Sequence, residues 1–167
     1  MLVKDDFKHW KGIISGPDDS VYENGKFQID IIIPEKYPYS PPKMKFDTKI
    51  WHPNISSQTG AICLDILKDE WTPALSIRTA LLSLQALMTE PQPSDPQDAV
   101  VAKEYIENRE KFNMTAREWT KNYANLDNFH KEKINAIIEM GFDEKTAIES
   151  LKRNGWDQNL AIEELIG

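Results

Sequence analysis

Cysteine occurs once in the 167 residues, at Cys63, so no disulfide can form within the chain, and this suits a reducing compartment. Proline is absent from the last part: all ten prolines lie between Pro17 and Pro96. The chain beyond Pro96 is therefore expected to be mostly helical, because helix interiors exclude proline. Histidine is scarce, with only His9, His52 and His130. No run of ~20 apolar residues occurs, so no membrane-spanning helix is expected. No basic, apolar, small-residue leader opens the sequence, so no secretory signal is expected. Positive charge is in deficit, with 20 Lys and Arg against 27 Asp and Glu and a net charge of -7. That balance argues against general nucleic-acid binding, which needs cationic patches to replace counterions. An acidic surface suits a basic protein partner, though most acidic proteins are merely soluble.

What is present suffices for an ordinary domain and a small one, with 40% apolar residues. Lys26 to Ile33 alternates, placing Phe27, Ile29, Ile31 and Ile33 on one face of a half-buried strand. Asn24-Gly25 before it favours the positive φ angles of a tight hairpin turn, with Lys8 to Ser15 as the partner strand. Lys43 to Phe46 reads as a third strand, and strands in succession make an antiparallel meander. From Leu75 through Met88, the residues Leu81, Leu82, Leu84, Leu87 and Met88 predict a long apolar helix buried under the sheet. Helices are expected around Asp98 to Asn108 and Lys111 to Tyr123, and the stretch from Ala124 to Phe129 reads as a polar connector. Three short helices should come after it. The first carries Ile134, Ile137 and Ile138 and closes at Met140-Gly141-Phe142 with a left-handed glycine. Asp143 caps the second, with Ala147, Ile148 and Leu151, and Gly155 ends it; Asp157 caps the third, with Leu160, Ala161 and Leu165 inward.

The chemistry concentrates on Cys63. Nine residues after the His52-Pro53-Asn54 turn comes Cys63-Leu64-Asp65, so one thiol lies a short loop from a side-chain amide able to stabilise an oxyanion. A thioester carrier needs a soft nucleophile that is also a good leaving group, and thiolate is both. Duller roles exist for each residue: a small buried hydrophobe for Cys63, a turn asparagine for Asn54, a helix cap before Pro96 for Asp95. The acidic neighbours Asp65, Asp69 and Glu70 disfavour a thiolate, which suits a cysteine loaded by another enzyme better than a self-activating protease nucleophile. A cysteine hydrolase would need a histidine paired with Cys63, for which His52 is the candidate, and a non-catalytic adaptor would need neither Cys63 nor Asn54.

Four words carry a resemblance: Tyr37-Pro38-Tyr39-Ser40-Pro41-Pro42-Lys43, His52-Pro53-Asn54, Cys63-Leu64-Asp65 and Trp71-Thr72-Pro73-Ala74. From about Phe7 to Tyr123 the chain resembles the catalytic domain of ubiquitin-conjugating enzymes, and the tail, through Met140-Gly141-Phe142, resembles a ubiquitin-associated domain. The resemblance implies an α+β fold, an antiparallel meander sheet packed on helices, followed by a small three-helix bundle. It implies a catalytic domain at 1–124, a ubiquitin-associated domain at 128–167, and kinship with the chain-building members of the family. By the same resemblance Cys63 carries ubiquitin, Asn54 supports the tetrahedral intermediate, Asp95 orients the incoming lysine and His52 shapes the loop. Tyr39, Pro73 and Ala74 would face ubiquitin ligases; Met140, Gly141, Phe142, Leu165 and Ile166 would face ubiquitin. No cofactor or metal is implied, since ATP is spent upstream by the activating enzyme. The implied partners are ubiquitin, activating enzyme and ligases. A monomer, cytoplasmic with access to the nucleus, and no nucleic acid or membrane partner, complete the expectation. The pattern departs from the family at Ser94, where a second acid is common, and at Ser20, Val21 and Asn24 in the hairpin. The family also begins with an amphipathic helix, for which Met1 to Asp6 is too short, so the start reads as truncated.

Overall fold

Short alternating runs build the first part of the chain into a sheet. In the computed structural model, which describes Leu2, Val3 and residues 6–167, that sheet has four strands: β1 (Leu2–Val3), β2 (Asp6–Ser15), β3 (Lys26–Ile32) and β4 (Lys43–Phe46). Each pairs antiparallel with its chain neighbour in the order β1-β2-β3-β4, so the expected meander is present. The register sets Gly12 opposite Ile29 and Ile29 opposite Phe46. Of the opening segment, Met1, Lys4 and Asp5 lie outside the described residues.

β3 is not half-buried. Phe27, Ile29 and Ile31 face the core as expected, but Gln28 and Asp30 on the opposite face are also buried, at 2% and 6% exposure. The cause is non-local. Lys11 of β2 donates to Asp30 at 2.6 Å and to Asp47 at 2.7 Å, and Gln28 donates to Asp47 at 3.0 Å. Pairing and hydrogen bonding make these buried charges tolerable. Asn24-Gly25 does not form a two-residue turn either. The connection spans 16–25, closed by Gly16 N–H donating to Gly25 O at 2.9 Å, with Asn24 at φ +64°.

Helix α1 (Ile77–Thr89) starts at Ser76, whose hydroxyl accepts from Thr79 N–H. Ala80, Leu84, Leu87 and Met88 sit in the core, but Leu82 is 56% exposed. A helix shows one stripe to a sheet, and position 82 lies two residues from both Ala80 and Leu84, on the other side. α2 (Ala99–Glu107) and α3 (Arg109–Tyr123) are capped by Asp98 and Asn108 and complete this core with Val101, Phe112 and Ala116.

Three further helices succeed these: α4 (Leu126–Glu139), α5 (Glu144–Arg153) and α6 (Gln158–Ile166). α4 begins inside the expected connector, which shortens to Ala124-Asn125, and so starts ahead of residue 128. Gly141, at φ +99°, comes after α4, and Asp143 and Asp157 cap the next two helices as predicted. Ile137, Ala147, Leu151 and Ala161 form a core that shares no residue with the first. Ile138, expected inward, is 37% exposed, and Leu160 and Leu165 are half-buried. The α5–α6 turn rests on the first unit: a Cβ at Gly155 would stand 2.7 Å from Val3 Cγ2 and 3.1 Å from Lys11 Cγ.

Candidate active site

Two short bridges bring the motif words side by side. Ile55 pairs with His52 within the His52-Pro53-Asn54 turn and with Ile62 on the next strand segment. Cys63 N–H then donates to Asn54 O at 2.9 Å. The loop between them turns on Gly60, which sits at φ +74° and whose carbonyl accepts from Phe46 N–H at 2.9 Å. A Cβ there would lie 1.9 Å from Phe46 O, so only glycine fits.

Cys63 lies just beneath the surface, at 9% exposure. Its thiol is 3.4 Å from Asp95 Oδ2, and Lys68 Nζ donates to Sγ at 3.1 Å. The 3-10 turn Asp65–Leu67 reverses the chain and returns Lys68 to the sulfur. The contact with sulfur holds the Lys68 ammonium above the usual lysine range. A cation therefore stands closest to the thiol, where the sequence drew attention only to acids.

His52 is completely buried. Its Nε2–H donates to Leu87 O at 2.9 Å, and Nδ1 accepts from Asn54 N–H at 3.0 Å. Burial lowers its pKa to about 4, against a weaker opposing effect of the Leu87 carbonyl. Both ring nitrogens are occupied, so His52 ties the turn to α1 and offers Cys63 no base. The hydrolase alternative thereby loses its candidate histidine.

Asn54 is 1% exposed and its amide is fully committed. Nδ2 donates to Gln92 O at 2.8 Å and Asp95 O at 2.9 Å, while Oδ1 accepts from Gln92 N–H at 2.8 Å. In this state Asn54 holds the 90–96 loop and with it the Asp95 carboxylate beside the sulfur. Donation to an oxyanion would require release of one of the two carbonyls. Asp95 is not the cap of α2; that is Asp98, which accepts from Val101 N–H at 3.2 Å. Asp98 also accepts from Ser57 N–H and Oγ at 3.0 and 2.7 Å. Burial opposes its charge, yet these donors keep its carboxyl below the usual range.

Further from the thiol, Tyr39 is 82% exposed, and Pro73 and Ala74 are exposed on the next loop. Trp71 joins the two loops, donating Nε1–H to Pro38 O at 2.7 Å, with its ring 6.0 Å from that of Tyr37. In the tail Met140 is 49% and Ile166 66% exposed, and Gly141 is exposed. Phe142 and Leu165 pack against the tail core and are only half-exposed, which narrows the apolar surface expected there. Among the described residues no cluster of His, Cys, Asp and Glu could hold a metal, and no helix is long and apolar enough to cross a membrane.

Sequence reasoning missed Lys68, Gln92, the Ser57–Asp98 clamp and the tie of Trp71 to Pro38, although Trp71 itself stood in a motif word. Lys68 left a signal, as a cation one tight turn beyond the cysteine.

Comparison with known proteins agrees with this arrangement. Residues 1–120 match the sequence pattern of the family described as ubiquitin-conjugating enzyme. Ubiquitin-conjugating enzyme E2 27 of Arabidopsis thaliana is 52% identical over 96% of this chain and 83% of its own length. Ubiquitin-conjugating enzyme E2 K of Homo sapiens is 52% identical over 99% of this chain and 84% of its own. Among solved structures, an E2 domain of a ubiquitin-conjugating enzyme from Toxoplasma gondii superposes with a TM-score of 0.74 at 62% identity. It covers 75% of this chain and 86% of that one.

Proposed function

The chain belongs to the ubiquitin-conjugating enzyme family, and from that premise we propose that it builds polyubiquitin chains through a thioester on Cys63. Enzymes of this family take ubiquitin from an activating enzyme, hold it as a thioester and pass it to lysine, working with ubiquitin ligases, and this chain does the same. The observation that supports Cys63 as the carrier is its setting. It is the one thiol of the chain, just beneath the surface, hydrogen-bonded through its backbone to Asn54 and facing the Asp95 carboxylate.

Asp95 orients and desolvates the incoming lysine, Asn54 supports the tetrahedral intermediate once the loop yields a carbonyl, and His52 keeps the turn in place. Tyr39, Pro73 and Ala74 form one ligase-binding surface, supported by their exposure and by the Trp71 tie between their loops. α4, α5 and α6 form a ubiquitin-associated domain that binds ubiquitin through Met140, Gly141 and Ile166, with the exposed parts of Phe142 and Leu165. Chain building directs targets to degradation. The enzyme works as a monomer in the cytoplasm with access to the nucleus, without nucleotide or metal of its own. No glycine-rich phosphate loop is present in the sequence, and ATP is spent by the activating enzyme.

The test of the carrier is Cys63→Ser, mixed with activating enzyme, ATP and ubiquitin. An oxyester should accumulate, resistant to reductant and labile to base, because alkoxide is a poorer leaving group than thiolate. An adduct that still forms on Cys63→Ala would end the assignment.

A further inference from the structure

Lys68 has no part in the roles assigned so far, yet its ammonium stands closest of the charged groups to the reactive sulfur. Nζ donates to Sγ at 3.1 Å, while Asp95 Oδ2 lies at 3.4 Å. Lys68 is exposed, so keeping its charge costs little, and its hydrogen bond to the sulfur strengthens its hold on its proton, with Asp95 and Asp65 adding to the effect. Among the described residues, the charged groups in contact with the sulfur are Lys68 and Asp95, with Asp65 acting on Lys68.

On the reading of Cys63 as the acyl carrier, we infer that Lys68 is a catalytic residue whose ammonium neutralises the sulfur anion each time the thioester is made or broken. Sulfur carries negative charge at two moments. In charging, the Cys63 proton passes by way of the Asp95 carboxylate to water and Sγ attacks the carbonyl of the incoming thioester. A new S–C bond forms, and the electron pair of the broken bond leaves on the sulfur of the activating enzyme. In discharge, the lone pair of the acceptor amine forms an N–C bond and the Sγ–C bond breaks. Its electron pair returns to Sγ, and the amine proton goes to water. Between these moments the loaded sulfur is neutral. A cation in contact with Sγ therefore favours both charged states over the thioester, and such differential stabilisation lowers barriers where uniform binding does not. It also offsets the carboxylates of Asp95 and Asp65 at the site.

The single thiol makes the test direct, since iodoacetamide can label no other cysteine. Alkylation is monitored for the full chain and for Lys68→Gln and Lys68→Arg from roughly pH 6 to 10, the span around an ordinary cysteine. Charging and single-turnover discharge are measured on the same proteins. Lys68→Gln should slow alkylation at neutral pH by about tenfold and displace its profile to higher pH, because an adjacent opposite charge favours the thiolate. Charging and discharge should slow by a similar factor, and Lys68→Arg should stay near the parent in all three. Superimposed alkylation profiles, Arg behaving like Gln, or slower alkylation with unchanged charging and discharge would each overturn the role of Lys68 alone. Ubiquitin still accepted by Cys63→Ala would overturn the carrier reading beneath it.

Discussion

At the scale of single residues, His52 makes stability depend on pH. Its folded pKa is lowered to about 4 by burial, whereas the unfolded imidazole titrates near its usual value. Between those two values the unfolded chain binds a proton at this position that the folded chain refuses, so stability rises with pH across the window. The contribution is complete above about pH 6.5, and roughly 3 kcal/mol of it is lost on acidification to about pH 4. Urea unfolding at several pH values should show this slope. His52→Gln, which can still donate to Leu87 O and accept from Asn54 N–H, should flatten it. Asn54→Ala removes three hydrogen bonds to the 90–96 loop and should lower stability by about 1–3 kcal/mol. If the amide also serves the oxyanion, discharge to lysine should slow by roughly 10²-fold while charging changes less. Equal losses in both steps would leave it the loop alone.

At the scale of elements, the features legible in the sequence were local. Asp143 and Asp157 cap their helices as read because capping is decided within three residues, whereas the α2 cap, assigned to Asp95 as its duller role, fell to Asp98. The edges of β4 and the turn at Gly141 were likewise written in neighbouring residues. The features that escaped depended on partners far along the chain. The burial of Gln28 and Asp30 needs Lys11 and Asp47, and the tie of Trp71 needs Pro38. The reading of α1 as broadly buried failed at Leu82 because counting leucines overrode the stripe that a helix presents to one sheet. This gives a matched pair. Leu84→Ala should cost about 2–5 kcal/mol, and Leu82→Ala well under half of that, by thermal or urea unfolding. Gly60→Ala should be worse than its size suggests, since both φ and the Phe46 carbonyl forbid a side chain. Its signature would be lost charging along with lost stability, because the same turn carries the strand segment of Cys63 back to Asn54.

At the scale of the whole molecule, two apolar cores are joined by Ala124-Asn125 and touch again where the Gly155 turn meets Val3 and Lys11. Cutting after Asn125 should leave thioester formation intact, because no residue of the first core is removed. It should also lower the melting temperature, because Val3, now 1% exposed, and Lys11 lose a neighbour. Titrating the intact chain with ubiquitin should move the NMR signals of Met140, Gly141 and Phe142. Shifts confined to other residues would remove the proposed tail surface.

The contact of the Gly155 turn with Val3 and Lys11 also decides what else can dock there. A tether of two residues keeps α4–α6 at an effective concentration on the order of millimolar beside the sheet. Any outside protein aiming for Val3 and Lys11 competes with a rival that never diffuses away. Micromolar affinity, ample for a free surface, would leave such a visitor mostly unbound. This stretch of the sheet is therefore reserved, and its occupant was settled when the two parts came to be encoded on one chain.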